Sequence, residues 1–352
     1  MKIGVLTSGG DAPGMNAAVR CVVKAGYGRG HEVVGILDGY TGLLEGKTLS
    51  LTPGAVDGIS RQGGTVLGSA RSKIFPSEAG QEKACEQIAR LGLDSLIVIG
   101  GNGSLAGAEL LSRRAPCNLV GIPASIDNDV GCTGLSIGVD TAVNTIVDAC
   151  DRISDTARAH RRAFIVEVMG RQCGYLAMRA GIASEADVIL YAEKDWDEKQ
   201  LIETLAETIE TGFSEEKEKR KILIIKAEGL SVSTPKMVDA LERVFQNKGA
   251  DIEVRATVLG HVVRGGKPSA TDRVIAQRLA FSAVWVSEQN IRNVMLGWDM
   301  DSSFGVETLD SSVRYVALSE VQIETERLLS GESVVVKRRL QLLEKTAGLI
   351  AL

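Results

Sequence analysis

The sequence predicts an α/β protein built from two doubly wound, mostly parallel (Rossmann-like) sheets. Short apolar runs rich in β-branched residues alternate with amphipathic helical patterns almost throughout the chain. Several of these runs, such as "SLIVI" at 95–99, are continuously apolar, which is typical of strands buried on both faces of a parallel sheet. With 352 residues, the chain is long for one domain and comfortable for two.

The elements follow this alternation in order. The run "KIGVLT" precedes the helical pattern "GMNAAVRCVVKAGY", and further strands are predicted in "HEVVGIL" and "GGTVLGSA". Next come "QEKACEQIARLG", "DSLIVIG", "SLAGAELLSRR" and "NLVGIPA". The helical stretch "TAVNTIVDACDRISDTARAH" is long enough to carry the chain from one sheet to another. The remaining strands are predicted in "AFIVEVMG", "DVILYAE", "KILIIKAEG", "ATVLGHVV" and "NVMLGW".

Composition argues against several classes of protein. The net charge is −5 with mixed signs, which disfavours binding to nucleic acid or to a membrane surface. No apolar stretch approaches the roughly 20 residues that span a bilayer, and a strand begins directly at the N-terminus. The six cysteines form no CxxC pair, so we expect reduced thiols and a cytoplasmic location.

Two glycine-rich loops follow predicted strands. Gly9 and Gly10 lie in "TSGGDAPGMNAA", and "GGNGS" begins at residue 100. Glycines at the start of a helix let backbone amides approach an anion, so two such loops indicate a polyphosphate, as in a nucleotide or pyrophosphate. The first loop alone could equally be a tight turn. In most chains with such a cluster beside a metal, an acid stands at the position of Asn102.

A pair of carboxylates follows the next predicted strand, in "GIPASIDND". Asp127 and Asp129, two residues apart at a strand end, are suited to deprotonating a hydroxyl and holding Mg²⁺. The alternative is an Asx turn, which "DND" also forms readily.

Basic residues at later strand ends suit a second, separate phosphate group, because arginine pairs bidentately with phosphate. They are Arg161, Arg162, Arg171, Arg255, His261 and Arg264. Each could instead be an ordinary surface charge. An NAD-dependent oxidoreductase is a further alternative because Asp38 could bind a ribose, but it explains neither "SIDND" nor the basic set.

Together the motifs strongly resemble the phosphofructokinase family. The segments that match in identity, order and spacing are "IGVLTSGGDAPGMNAA", "GGTVLGSAR", "SIDND", "VEVMGR", "AEG" and "ATVLGHVVRGG", and the likeness covers roughly residues 1–300. The resemblance implies a glycolytic kinase that transfers the γ-phosphoryl group of ATP to the 1-hydroxyl of fructose 6-phosphate, with Mg²⁺ as cofactor. It also implies a homodimer or homotetramer with shared active sites.

The resemblance assigns roles residue by residue. Asp127 corresponds to the base, Ser125 to a phosphate-contacting hydroxyl, and Arg171 to the residue that stabilises the transferring phosphoryl group. Asp129 and Asn102 match the metal-binding positions. The nucleotide-binding positions are Gly10, Tyr40, Arg71, Ser72, Gly103, Ser104 and Gly107. The sugar-phosphate-binding positions are Arg162, Met169, Gly170, Glu228, Arg255, His261 and Arg264, of which Arg162 and Arg255 arrive from a neighbouring subunit in the family.

Three expectations depend on this likeness. We expect a donor domain of residues 1–138 plus about 265–310, a sugar-phosphate domain of 139–264 plus about 311–352, and the active site in the cleft between them. Relatives that use pyrophosphate are similar except for an aspartate at the Gly103 position and a lysine at the Ala124 position, so ATP is the favoured donor. Asn102 replaces the family's metal-binding aspartate, which predicts weaker Mg²⁺ binding unless it merely caps the following helix.

Alternatives to an ATP-dependent 6-phosphofructokinase stay open at this point. The chain could use pyrophosphate or another sugar phosphate, such as sedoheptulose 7-phosphate. It could also be a catalytically weak sugar-phosphate-binding subunit, which Asn102 favours and the intact Asp127 and Arg171 disfavour.

Overall fold

The computed structural model describes residues 1–194, 196–289, 291–299 and 310–350, with side chains up to residue 343. The chain divides into two compact units. The first unit comprises Met1–Thr141 and Arg264–Ser330, and the second comprises Ala142–Val263 and Gly331–Leu352.

The elements of the described residues are numbered in chain order. The strands are β1 (Lys2–Ser8), β2 (Glu32–Ile36), β3 (Thr48–Ser50), β4 (Ser95–Gly100), β5 (Asn118–Pro123), β6 (Ala163–Val168), β7 (Val188–Leu190), β8 (Ile222–Ala227), β9 (Val254–Val258), β10 (Val294–Trp298) and β11 (Val313–Ala317). The helices are α1 (Met15–Gly28), α2 (Gly39–Glu45), α3 (Glu78–Leu91), α4 (Asn102–Ser112), α5 (Val139–His160), α6 (Tyr175–Ala183), α7 (Glu198–Gly212), α8 (Thr234–Lys248), α9 (Ala270–Glu288), α10 (Leu318–Leu329) and α11 (Val334–Ile350). Short 3-10 helices span Ile59–Arg61 and Gly260–Arg264.

The first unit is built on a seven-stranded sheet in the order β11-β10-β5-β4-β1-β2-β3. Its central strands are parallel, and only the two edge strands, β3 and β11, pair antiparallel. Every residue of β4 and β5 is buried, as their continuous apolar character requires. Side chains from α2, α3, α4 and α10 pack with these strands into one apolar core.

The second unit contains a four-stranded, fully parallel sheet in the order β7-β8-β6-β9. The apolar faces of α7 and α8 pack with β6 and β8 into a second core. β8 is buried along its whole length, whereas the edge strand β9 is exposed over most of its residues.

The predicted α/β class with mostly parallel sheets is confirmed. No helix among the described residues is long and apolar enough to cross a membrane.

Two sequence expectations differ from the structure. The run "GGTVLGSA" at 63–70 forms a loop because side chains take up its backbone groups: the Val66 amide donates to Asn16 Oδ1, and the Gly68 carbonyl accepts from Thr7 Oγ1. Residues 311–330, assigned by sequence to the sugar-phosphate domain, lie in the first unit, because β11 pairs with β10 in its sheet.

Candidate functional site

The strand register of the first unit brings three predicted functional loops together. Ser8 pairs with Gly100, and Gly100 pairs with Pro123, so β1, β4 and β5 end level with one another. Neighbouring parallel strands lie about 4.8 Å apart, so the three loops that follow these ends begin side by side. The glycine loops and the carboxylate loop therefore share one sheet edge within this unit.

The first glycine loop lies against the start of α4. Gly9 has a φ of +86°, and a Cβ atom built on it would lie 3.0 Å from Ser104 Oγ. The Gly9 carbonyl accepts a hydrogen bond of 2.5 Å from Ser69 Oγ, which ties the 63–70 loop to this site. The start of the first loop thus leaves little room for a side chain.

The second glycine loop opens directly into α4. Gly101 is the residue before the helix, and none of the described side chains caps this end. A Cβ atom at Gly103 would have no neighbour within 4 Å, so this position faces open space. Uncapped amides at a helix start attract anions, and here they adjoin a second glycine loop and a buried unpaired oxygen.

That unpaired oxygen belongs to Asn102, the first residue of α4. Its Oδ1 atom is buried and accepts no hydrogen bond from any described residue. This observation disfavours the helix-cap interpretation, because a capping oxygen accepts a bond from the helix backbone. Since a buried carbonyl oxygen without a partner is costly, Asn102 has the chemistry of a ligand position for a cation. No cluster of three or more His, Cys, Asp or Glu side chains that could hold a metal occurs among the described residues.

The carboxylate loop is folded around Ser125. The Ser125 hydroxyl donates to Asp129 Oδ1 at 3.1 Å and accepts from the Asp127 amide at 3.3 Å. Asn128, with a φ of +51°, bonds through its side chain to the Gly134 carbonyl and the Ser136 amide. Asp127 and Asp129 are only 2% and 4% exposed, so the loop holds two carboxylates in a largely desolvated setting.

Arg264 lies beside this loop, in the first unit. Its Nη2 atom is 3.9 Å from Asp127 Oδ1, and its Nη1 atom donates to the Asp11 carbonyl at 3.4 Å. A Cβ atom at Gly10 would lie 2.8 Å from the same guanidinium group, so a side chain there would require Arg264 to shift. Arg264 was predicted to bind the sugar phosphate; in this structure it brings a positive charge next to Asp127.

Asp272, at the start of α9, supports the carboxylate loop and was not predicted from the sequence. It is fully buried, and its two carboxylate oxygens accept bonds of 2.8 Å from the amides of Gly138 and Thr141. The loop closes just before this contact, because the Ile137 carbonyl accepts the Ser125 amide. Burial raises the pKa of Asp272, and its hydrogen bonds with Thr141 and Gly138 oppose that shift. The sequence pattern Ser-x-x-Asp from Ser269 to Asp272, typical of a helix start, was the signal that could have pointed to Asp272.

The predicted nucleotide-binding residues fall into two groups. Ser104 is buried beside Gly9, and Arg71 is exposed, with no hydrogen bond or ion pair to the described residues. Ser72 accepts the Phe75 amide and closes a turn next to Arg71.

Tyr40 and Gly107 are instead packed against each other. The Tyr40 ring stacks on Phe75 at 4.0 Å, and its hydroxyl donates to the Ser104 carbonyl at 2.6 Å. A Cβ atom at Gly107 would lie 2.8 Å from the Tyr40 ring. Burial raises the pKa of Tyr40. Tyr40 thus packs against α4, and Gly107, within α4, leaves room for its ring.

In the second unit, the pairing of β6 with β8 assembles part of the predicted sugar set. Val168 pairs with Ala227, which puts Met169 and Gly170 beside Glu228 at the carboxyl ends of these strands. Glu228 Oε1 accepts the amides of Gly170 at 3.2 Å and Arg171 at 2.8 Å. His261 follows β9, the other neighbour of β6, so it lies toward the same edge.

A buried ion pair beneath this edge also escaped prediction. Lys226, 1% exposed, donates to Glu167 Oε2 at 3.0 Å, and Thr234 Oγ1 bonds to the same oxygen. A lysine inside an apolar strand was the signal in the sequence. The pair fixes β6 to β8 just before Met169 and Glu228.

Arg162 and Arg255 lie at the opposite, amino-terminal edge of the same sheet. Ala163, which follows Arg162, pairs with Val254, which precedes Arg255. Both guanidinium groups form ion pairs with Glu253. The six residues of β6 separate Arg162 from Met169, which corresponds to about 20 Å. The structure therefore does not bring these two arginines together with the sugar set at the carboxyl edge.

Comparisons with known proteins agree with this architecture. The family model described as "Phosphofructokinase" matches residues 2–287. A protein of Halothermothrix orenii named ATP-dependent 6-phosphofructokinase is 42% identical over 301 residues, which cover 84% of this chain and 90% of the relative. A protein of Thermotoga petrophila with the same name is 47% identical over 283 residues, covering 80% of this chain and 85% of the relative.

Solved structures show the same likeness. Phosphofructokinase from Saccharomyces cerevisiae matches with a TM-score of 0.85 and 32% identity, over 98% of this chain; this chain spans 50% of the yeast chain's length. A pyrophosphate-dependent phosphofructokinase from Marinobacter aquaeolei matches in fold, with a TM-score of 0.78, 20% identity and coverage of 97% and 91% of the two chains. The extent of the family match and the identity to its members show that this chain belongs to the phosphofructokinase family.

Proposed function

We propose that this chain is an ATP-dependent 6-phosphofructokinase that works in cytoplasmic glycolysis. It transfers the γ-phosphoryl group of ATP to the 1-hydroxyl of fructose 6-phosphate and releases ADP and fructose 1,6-bisphosphate. The observation that carries this proposal is the register of β1, β4 and β5, which sets two phosphate-type loops beside a pair of buried carboxylates. The names of relatives more than 40% identical to this chain support the choice of ATP and of fructose 6-phosphate.

Asp127 is the proposed general base. The sugar's 1-hydroxyl oxygen forms the new bond to the γ-phosphorus, and its proton passes to the Asp127 carboxylate as the bond to ADP breaks. Burial supports this role because a largely desolvated carboxylate is a stronger base than a hydrated one. The Arg264 guanidinium places a positive charge 3.9 Å from this carboxylate, and Ser125 fixes the loop and offers a hydroxyl to the phosphate.

Mg²⁺ is the proposed cofactor, and Asn102 and Asp129 are the residues that would hold it. When bound, it neutralises charge on the phosphates of the donor. The buried, unpaired Oδ1 of Asn102 fits a cation, but it carries no full charge, so we expect a weaker site than one with a carboxylate at this position. ATP carries its own Mg²⁺, and for this reason the substitution is compatible with activity.

On the acceptor side, Arg171 is proposed to stabilise the transferring phosphoryl group, while Met169, Gly170, Glu228 and His261 hold the sugar phosphate. The hydrogen bonds from the amides of Gly170 and Arg171 to Glu228 support this grouping, because they tie the loop after β6 to the residue that follows β8. Guanidinium is the preferred partner for a phosphoryl group that carries spread negative charge.

Arg162 and Arg255 are proposed to serve the active site of another copy of this chain. Their position about 20 Å along β6 from Met169 supports this, since side chains at both edges of one sheet do not reach the same ligand. The protein is then a homodimer or homotetramer, and each active site is completed by a neighbouring subunit.

The choice of ATP over pyrophosphate is supported by Gly103 and Ala124. Gly103 faces open space, which a larger side chain would take from the donor. Ala124 is fully buried, so a lysine there would disturb the fold as well as the donor site. Gly103→Asp is therefore the cleaner single substitution to probe donor choice.

The test is a coupled assay of the purified protein that crosses ATP and pyrophosphate with a panel of sugar phosphates. We expect turnover with ATP and fructose 6-phosphate, and reduced use of ATP in the Gly103→Asp variant. A preference for pyrophosphate would reject the donor, and a preference for sedoheptulose 7-phosphate would reject the acceptor. Binding of a sugar phosphate without turnover would identify a non-catalytic subunit.

A further inference from the structure

The C-terminal helix α11 contacts the loop that carries Arg171. This loop, residues 169–174, joins β6 to α6 and is called the sugar loop below. The Arg339 guanidinium of α11 lies over the ring of Tyr175, 4.5 Å from its centroid, and Arg339 Nη1 is 3.8 Å from Cys173 Sγ. A cation over an aromatic face is attracted by the ring quadrupole, most strongly where water is excluded.

A second group near Arg339 is the buried carboxylate of Glu193. Glu193 Oε1 accepts the Gly174 amide at 2.8 Å, at the end of the sugar loop. Its Oε2 atom is buried and has no hydrogen-bond partner among the described residues. Burial raises the pKa of Glu193, while the Gly174 amide and the positive charge of Arg339 lower it. Arg339 adds a positive charge in the neighbourhood of a buried carboxylate that accepts the Gly174 amide.

The sugar loop is too tight to absorb a displacement at this end. The Cys173 amide donates to the Gly170 carbonyl at 2.9 Å, which closes a turn around Arg171. Gly170 has a φ of +144°, and a Cβ atom on it would lie 2.4 Å from the Cys173 carbonyl oxygen, so this turn accepts only glycine. On its other side, the loop is held by Glu228. Movement of Cys173 or Gly174 is therefore passed on to Gly170 and Arg171.

We propose that Arg339 is a positioning residue, which fixes the sugar loop from the C-terminal helix and thereby aims Arg171. The inference rests on the proposed function for its kinetic part, but its structural part stands without it. It assigns a task to the C-terminal region, which lies beyond the segment that matches the family model. Arginine suits the task because its planar group lies over the Tyr175 ring while its positive charge favours the ionised form of Glu193.

The test compares Arg339→Ala and Arg339→Lys with Arg338→Ala as a matched control. Arg338 lies next to Arg339 on α11 and is exposed, so its loss removes the same charge without touching the sugar loop. Because small misplacements of catalytic groups reduce rates strongly, we expect kcat of Arg339→Ala to fall about 10-fold. The KM for fructose 6-phosphate should rise and the KM for ATP should stay unchanged. Lysine should restore part of kcat, since it keeps the charge.

A second measurement needs no enzymatic activity. Cys173 is buried, at 1% exposure, beneath Arg339, so its alkylation, followed by mass spectrometry of its peptide, reports on the sugar loop. We expect faster labelling in Arg339→Ala, no change in Arg338→Ala, and unchanged labelling of the buried Cys117 in both. Faster labelling in a chain without fructose 6-phosphate kinase activity would support the role of Arg339 in fixing the sugar loop and would reject the proposed function. Unchanged labelling, or a loss confined to Tm, would overturn the proposal.

Discussion

The two units distribute their predicted functional residues differently. In the first unit, the loops after β1, β4 and β5 lie side by side at one sheet edge, and Arg264 and Asp272 hold the third of them in place. In the second unit, the sugar loop and Glu228 lie at the carboxyl edge, whereas Arg162 and Arg255 lie at the amino edge. The first arrangement gathers its residues at one sheet edge, whereas the second divides them between the two edges of one sheet.

The largest effect on activity is expected from a substitution in the carboxylate loop of the first unit, whose functional loops lie at one sheet edge. In Asp127→Ser, we expect kcat to fall by about 10²- to 10⁴-fold, because the general base is lost. Binding of fructose 6-phosphate, measured by calorimetry, should persist. The exposed Asp57, changed to serine in the same way, is a control for the loss of one carboxylate. Near-normal turnover of Asp127→Ser would remove this residue from the catalytic step.

In the second unit, the predicted sugar-phosphate residues lie at two opposite edges of the sheet. Arg162→Ala tests the role of the residues at the amino edge. Loss of one charge-assisted bond to the non-reacting phosphate should raise the KM for fructose 6-phosphate about 10- to 100-fold, with kcat little changed. Steady-state kinetics at saturating ATP measure this split. An equal fall in kcat would mean that Arg162 acts on the reacting group.

Mixing variants distinguishes one chain from two. When Arg162→Ala is reassembled with Asp127→Ser and assayed at low fructose 6-phosphate, sites that combine an intact Asp127 with a neighbour's intact Arg162 should regain activity. The matched control mixes Asp127→Ser with Asp129→Ala, whose residues share one loop, and should show no gain. Subunit exchange without recovery in the first mixture would show that each site is built from a single chain.

A smaller effect is expected at the metal position of the first unit. Asn102→Asp adds a full charge where a buried oxygen has no partner, so the half-saturating concentration of Mg²⁺ should fall several-fold, with kcat equal or higher. Titration of the rate with Mg²⁺ at fixed ATP measures this. An unchanged Mg²⁺ curve with only a shift in Tm would indicate a structural role for Asn102.

The smallest effect concerns the stability of the first unit. Glu288 accepts hydrogen bonds from Arg29 and bonds to His31. These two contacts, that with Arg29 being the stronger, lower the pKa of Glu288 from 4.5 to about 2. A group with a lowered pKa stabilises the fold above its ordinary pKa and loses this contribution as pH falls toward 2. Glu288→Gln should therefore lower Tm by a few degrees at pH 6, because the pair is partly exposed. The difference between the proteins should shrink between pH 4.5 and 2, and a constant difference would contradict this linkage.

Sequence reasoning predicted those features that depend on local order along the chain. The glycine loops and "SIDND" follow strands directly, and the rule that parallel strands end at a common edge was enough to expect them together. The second sheet was predicted because apolar runs continue to alternate with helical patterns along the second half of the chain. Asn102 was identified as unusual from its type alone, but only the structure revealed that its oxygen is buried and unpaired.

Other features depend on contacts between distant residues, which periodicity does not encode. Asp272 meets Gly138 across 134 residues, and "GGTVLGSA" is a loop because Asn16 and Thr7 bind its backbone. The bond from the Tyr40 hydroxyl to the Ser104 carbonyl likewise joins residues 64 positions apart. That Arg339 meets the sugar loop follows from how α11 packs, which no local pattern predicts.

The distance in sequence between Asp272 and the loop it holds also orders events during synthesis. When residues 1–260 have emerged from the ribosome, the glycine loops, Asp127 and Asp129 are already present. Asp272, which accepts the Gly138 and Thr141 amides, has not yet emerged. Contacts between distant segments form slowly and late in folding. A nascent chain should therefore bind the donor's phosphates weakly before α9 emerges, and become competent for catalysis only after it docks.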